Sequence, residues 1–268
     1  MKLVAIVRTP ERLEEASQAL AAGTGLTRAE SQMRLAPEPP ALLARLEAGP
    51  AEALVASLRK AGLSVLAIDA QVPTDADRTS ALRVAFGPER VTLAPRSGAP
   101  LEIAWPDVLA VLRGARESRT EAERTEKSKS LSLGMAVATG GLVMRHTSSR
   151  TVRSSETSFQ QIILVHARDG RSAVLVEGQV DFTCLGADLQ PSSTANMTTL
   201  DRRFRALARG AFHDDRLLRL GRRALPFVAG NETHSASSAL VVNRRSTAAS
   251  LDVLAEVMRQ AVASGLLP

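Results

Sequence analysis

The sequence predicts an α+β protein: a small β-α-α-β-α-β unit over residues 1–70, then, from about residue 80, an antiparallel barrel-like β domain with a long insert and C-terminal helices. Three observations predict it. Helix start and stop signals recur between short β-branched runs over the first 70 residues. From Leu82 the apolar period changes to two, punctuated by Gly-Pro and Asp-Gly turns. Finally, an apolar stretch, Leu131 to Met144 (LSLGMAVATGGLVM), lies between two polar arms that carry too few apolar residues to form a core.

Taken in order, Lys2 to Arg8 is apolar and β-branched, as a buried strand is. Thr9 and Pro10 predict a helix start, with Glu11, Glu14 and Glu15 near the positive end of its dipole and Gly23 as its stop. Thr27 and Glu30 have capping-box spacing for a second helix, ended by Pro37, Pro39 and Pro40. Leu42 to Leu46 reads as a short strand. Gly49-Pro50 opens a third helix with Leu54, Val55, Leu58 and Ala61 on one face, Gly62 closes it, and Leu63 to Asp69 is the last strand. These elements form a unit expected to fold alone over residues 1 to about 72.

Two runs, TGLTRAESQMRL (Thr24 to Leu35) and AEALVASLRKAGLSVLAID (Ala51 to Asp69), resemble the C-terminal domain of the bacterial ribosomal stalk protein and the related Clp protease adaptor. The resemblance covers about the first 70 residues and rests mostly on structural Leu, Ala and Gly. It implies a non-catalytic docking module. The second helix of that family presents lysines to translation factors, whereas the matching positions here are Ala29 and Gln32, so no binding residue carries over.

Ala70 to Ser80, rich in Thr and Asp, reads as a linker. Beyond it, Leu82-Val84-Phe86, Val91-Leu93, Leu101-Ile103-Trp105 and Val108-Ala110-Leu112 predict a meander, with Trp105 in its core. Gln161 to Ala167 and Ser172 to Glu177 flank an Asp169-Gly170 turn, and Val180 to Leu185 adds a strand. A helix from about Thr198 to Ala211 follows. Residues 80–212 resemble a pleckstrin-homology-like barrel, and PLEIAWPDVLAVLRG (Pro100 to Gly114) is similar to a strand–turn–strand of such barrels. Leu240 to Val242 is a further short strand. Ser246 caps a last helix, Thr247 to Ser264, whose stripe of Leu251, Leu254, Val257, Met258 and Val262 is expected to pack on the body of the fold, with an oligomer seam as the alternative.

The insert, residues 116–158, is longer than a connection needs to be. Its arms read as extended ribbons, because Thr and Ser recur and no helical stripe appears. The candidate partner-binding residues are Leu131, Leu133, Met135, Val137, Gly140, Gly141, Leu142, Val143 and Met144. Fourteen residues cannot span a bilayer as a helix, which needs about 20. Three destinations stay open. The stretch can be buried on its own chain, or associate with itself or a partner through Gly134, Ala136, Ala138, Gly140 and Gly141, or touch a membrane surface with Lys127, Lys129 and Arg145 flanking it.

Composition narrows the function classes. The lone cysteine, Cys184, rules out an intrachain disulfide and fits a cytoplasmic protein. Residues 1–79 hold nine Lys/Arg against ten Asp/Glu, so the net charge of +6 belongs to the rest of the chain. Leu200 to Leu225 alone has eight arginines against three aspartates. Leu200, Phe204, Leu207 and Ala211 keep helical spacing there, and stacking aromatics are absent. The arginines therefore read as a solvated face, which argues against nucleic acid as a partner. No nucleophile elbow, phosphate loop, HExxH or cysteine pair occurs, and Gly23-Thr24-Gly25 lacks both the third glycine and the preceding strand of a dinucleotide loop. His213-Asp214-Asp215 is the best acid–base or metal candidate, although adjacent residues diverge and Asp214 can serve as a cap. The expectation is a non-catalytic protein-interaction or assembly module without cofactor or metal. The alternatives are a peripheral membrane module and an enzyme using His213.

Overall fold

The computed structural model describes residues 1–131, 145–228, 231–236 and 240–268. The first unit runs β1 (Lys2–Ile6), α1 (Leu13–Thr24), α2 (Arg28–Leu35), β2 (Ala41–Leu46), α3 (Ala48–Lys60) and β3 (Val65–Asp69). Its sheet has the order β2-β1-β3, antiparallel throughout. Thr27 and Glu30 form the expected capping box. The start of α1 differs from expectation: the helix begins at Leu13, after an extended Arg12, and Thr9, which precedes Pro10 and is steered away from helix by it, lies outside. Gly25, at φ +72°, closes α1. Gly23 lies inside the helix instead, where a Cβ would come within 2.5 Å of Leu54 on α3.

The second sheet is built from β4 (Thr79–Phe86), β5 (Arg90–Pro95), β6 (Leu101–Ala104), β7 (Val108–Leu131), β8 (Arg145–Ala167), β9 (Ser172–Val176), β10 (Phe212–Asp214), β11 (Asn231–Ala236) and β12 (Leu240–Ser246). Its order is β11-β12-β7-β8-β9-β4-β5-β6, with β10 against β7. The α+β class holds, and this larger sheet is mixed. The antiparallel runs β4-β5-β6 and β7-β8-β9 are joined by a short parallel contact between β4 and β9, and β10 runs parallel to β7. Such parallel contacts arise where long crossovers return the chain to the sheet, and α4 (Ser193–Leu207) supplies the crossover before β10. Phe182–Asp188 forms 3-10 turns where a strand was expected. Its Asp181 side chain accepts from Thr183 N at 2.9 Å, which favours a turn over a ladder.

The last helix, α6 (Ala248–Ala263), is shared by both sheets. Leu251, Leu254, Ala255 and Met258 pack on Leu109, Leu112, Leu164 and Val174 of the larger sheet. Val253, Val257 and Ala261 pack on Leu3, Ala5, Leu42, Leu66 and Ile68 of the smaller one. Two apolar stripes therefore stand where one was expected, and a helix apolar on nearly every side is a buried layer. The stretch read as a linker is pinned to the same helix. Thr74 and Asp77 close a reciprocal cap around a 3-10 turn, and the Arg78 side chain, 1% exposed, forms an ion pair with Asp252 of α6.

Because α6 covers the back of the small sheet, a fragment of residues 1–72 presents an uncovered apolar face. We expect that fragment to bind a hydrophobic dye or self-associate, and a peptide of residues 246–268 added in trans to suppress this. A fragment that neither binds dye nor responds to the peptide would argue that α6 is dispensable to the unit.

Candidate functional site

The arms of the insert are the outer halves of two very long strands. β7 has 24 residues and β8 has 23. Their antiparallel register runs unbroken from Ala110–His166 to Leu131–Arg145. Strand β12 adds to the outside of β7 from Ser118 to Arg124, and β11 adds to β12. Beyond Gln161, β8 has no neighbour on its other edge among the described residues. Of the predicted partner-binding residues, Leu131 ends β7 opposite Arg145. Leu133, Met135, Val137, Gly140, Gly141, Leu142, Val143 and Met144 lie outside the described residues.

The arm leaves a tightly built root. At Glu117 the backbone N donates to Thr247 Oγ1 at 2.9 Å, and its carbonyl accepts from Thr247 N at 3.0 Å, which fixes β7 to the start of α6. Arg116 Nη1 donates to Asp75 at 2.6 Å while its Nε donates to Gln160 at 2.9 Å. Phe159 is 54% exposed, with the Arg222 guanidinium 4.2 Å from its ring centre. Beside it lies a recess of about 590 Å³ lined by Arg116, Ser158, Gln160, Glu177 and Ser193 among others. Burial pushes the Glu177 carboxyl up, but hydrogen bonds from Thr194, Gln161 and Ser193 outweigh it and hold the group below its ordinary value.

Under the root, Gly221 lets the short helix α5 (Leu217–Leu220) nest on β7. A Cβ there would meet Ala115 O and Leu217 O, each at 2.7 Å, and Leu251 Cδ1 at 2.3 Å. Two of those atoms are backbone and cannot turn aside. Gly221→Ala is therefore expected to lower unfolding free energy by about 3 kcal/mol, as overpacking does. Urea unfolding measures it, and a loss below about 0.5 kcal/mol would mean the root is looser than described.

The acid–base candidate does not converge. His213 and Asp214 lie on β10, whose alternation turns neighbouring side chains to opposite faces. His213 Nε2 lies 2.9 Å from Ala208 O and so carries the proton, while Nδ1 is buried without a partner. Asp214 accepts from both Arg216 N and Arg216 Nε at 2.8 Å, the capping role open to it from the sequence. Asp215 acts at a distance on Arg113, whose pKa is lowered by burial and partly restored by Asp201 and Asp215. Among the described residues no three His, Cys, Asp or Glu side chains gather in a metal-binding group. Cys184 is half-buried in the 3-10 segment, and burial pushes its thiol up, away from the reactive thiolate.

The arginine-rich helix is less free than a solvated face. On α4, Arg203 donates to Cys184 O at 2.7 Å and lies over Phe86, and Arg205 pairs with Asp201. Only Arg202, Ala206 and Leu207 of its last two turns are exposed.

Sequence reasoning missed a polar layer between α6 and the sheets. His166 of β8 is buried, and neither ring nitrogen has a hydrogen-bond partner among the described residues. Burial first, then the positive charges of Arg78 and Arg259, depress its pKa to about 3 against a smaller opposing pull from Glu256. On α6, burial raises Asp252 despite Arg78, whereas Glu256 is held down because hydrogen bonds from Arg259 and Gln260 outweigh its burial. The only sequence signal was polar residues on a helix otherwise apolar all round. Among the described residues no helix is long and apolar enough to cross a membrane. Compared with protein-family models, curated proteins and solved structures, the chain matches none.

Proposed function

We propose that this chain is a non-catalytic assembly module of the cytoplasm. On this reading it associates with a partner protein or with itself through the arm of β7 and β8, and the stalk-like unit and the barrel-like sheet are its scaffold. The observation that carries the reading is the unbroken register out to Leu131–Arg145, combined with exposure on successive residues of β8, hence on both faces of the ribbon: Thr151, Val152 and Ser154 to Phe159 are all exposed. Where β12 and β11 widen it, a ribbon wetted on both faces gains little core, and beyond Arg124–Val152 only two strands remain among the described residues, a hairpin marginally stable in water. Association supplies the missing stabilisation.

Chain length argues against burial on the same body. From Ser118–Ser158 to Leu131–Arg145 the ribbon measures roughly 45 Å along the strands. The connection between them has thirteen residues. At about 3.5 Å each, such a connection extends only about 23 Å before it must turn back.

The test shortens the arm by joining Ser128 to Ser148 through Asn-Gly, which leaves the β12 contact intact. Light scattering should give a multiple of the monomer mass, or a stable complex with a partner, for the intact chain and a monomer for the shortened one, with equal melting temperatures once both are diluted to monomer. Equal masses and equal partner binding for the two would sink the reading. Arm-dependent binding to anionic vesicles by a chain that stays monomeric would replace it with the membrane alternative.

A further inference from the structure

The open edge of β8 identifies which partner fits the arm. Glu177 N donates to Gln161 O at 2.9 Å, so Gln161 turns its peptide groups toward the side where β9 lies. Strand alternation carries that orientation down the unbroken ladder to residues 157, 155, 153, 151, 149, 147 and 145. Strand β7 agrees: Glu117, opposite Phe159, spends its N–H and C=O on Thr247, away from β8. Every odd residue from Arg145 to Thr157 thus offers a donor and an acceptor to an edge without a neighbouring strand among the described residues. Edges of this length are normally blunted by proline, a bulge or inward charge. Arg145 to Thr157 has no proline, and the β7–β8 register has no shift beyond Ala110. β11, at the other side of the blade, offers only six residues.

We propose that the occupant of this edge is a second copy of the same chain, pairing β8 with β8 antiparallel about a two-fold axis at Thr151. This rests on the reading of the arm as an association surface and names its partner. An antiparallel partner must set outward residues opposite outward residues, so only alternate registers are open. With Thr151 on the axis, Ser149 meets Arg153, Thr147 meets Ser155 and Arg145 meets Thr157. Among the residues between, Arg150 meets Val152, Ser148 meets Ser154 and His146 meets Glu156. No like charges fall opposite each other, and two acid–base pairs form by symmetry. The registers centred on Arg150 or Arg153 set arginine against arginine, which destabilises a sheet. Seven bonded pairs give about fourteen backbone hydrogen bonds. The two blades become one continuous sheet, and the end of each arm, Leu131 and Arg145, comes beside the recess next to the other copy's Phe159. An isologous interface requires that a strand tolerate its own copy, and this register does so: no charge meets its like, and Glu156 finds His146 on both sides of the axis.

The experiment uses the full chain with Cys184→Ser and a single cysteine placed by Thr151→Cys or Thr147→Cys. Mild oxidation should give a covalent dimer through position 151, where opposed Cα atoms lie about 5.5 Å apart. Position 147 should give none, because its counterpart sits eight residues away. In parallel, Thr151→Pro removes one outward N–H without touching the β7 ladder. It should return the protein to monomer mass, with the melting temperature of the wild type diluted to monomer. Equal cross-linking at both positions, or none at either, overturns the proposal. If shortening the arm abolishes association but Thr151→Pro does not, association through the arm stands and edge pairing falls. If neither variant changes the mass, both fall.

Discussion

Asp252→Ala is expected to cost about 3 kcal/mol of unfolding free energy. The reason is what it leaves behind. The Arg78 side chain is 1% exposed, and beyond Asp252 its partners among the described residues are Asp75 at 3.4 Å and Pro73 O at 2.6 Å. Removing one partner of a buried pair strands a charge in the interior, whereas removing both charges is nearly neutral when the space is filled. The double change Arg78→Met with Asp252→Leu should therefore recover most of the loss, and urea unfolding of the wild type and both variants measures it. A double variant no more stable than Asp252→Ala would show that the chain around residues 73–78 is not held by this pair.

Acid should loosen the protein through His166, starting well above the range in which carboxylates titrate. The folded pKa is near 3 and the ordinary value is 6.5, so the folded state binds fewer protons than the unfolded state between those limits. The stabilisation is complete above pH 6.5, is lost as pH falls below it, and is exhausted near pH 3. At 1.36 kcal/mol per unit, the whole window amounts to about 5 kcal/mol and the part between pH 6.5 and 5 to about 2 kcal/mol. The charged groups acting on the ring are Arg78 from the segment before β4, and Arg259 and Glu256 from α6. Glu256, held below its ordinary value, steepens the loss only at lower pH, and Asp252, raised by burial, opposes it there. The interval from pH 6.5 to 5 therefore isolates the imidazole. His166→Leu should make stability flat across it, and a variant retaining the wild-type slope would assign the acid sensitivity to another group.

What the sequence made legible was local. The Thr27–Glu30 cap, the three prolines after α2 and the Asp169-Gly170 turn each act within a few residues, so their chemistry reads directly from spacing. The extended character of the arms was legible for the same reason, from recurring Thr and Ser. Long-range features were not. β11 is NETHSA and β10 is FHD, without the apolar alternation that marks a half-buried strand, because β11 is placed by its backbone ladder to β12 and β10 by its parallel contact with β7. The stretch read as a linker gave no sign that Arg78 would pair with a residue 174 positions later. The second stripe of α6 was present in Val253, Val257 and Ala261, but only a second sheet facing it gives that stripe meaning. His166 reads as one polar residue in a strand, and its burial depends on α6 closing over it. The candidate site was legible as an apolar stretch between polar arms. Its open edge and the direction of the peptide groups along that edge required the ladder.

Residue-resolved hydrogen exchange over Arg145 to Thr157, followed as protein concentration rises through the association range, tests the central claim most directly. The outward amides of Ser149, Thr151, Arg153 and Ser155 should exchange rapidly in the dilute monomer and become protected in step with the rise in mass, while their even-numbered neighbours, bonded to β7, change much less. Association that leaves those odd-numbered amides as fast as in the monomer, or a chain that stays monomeric and partnerless with an intact arm, would contradict it.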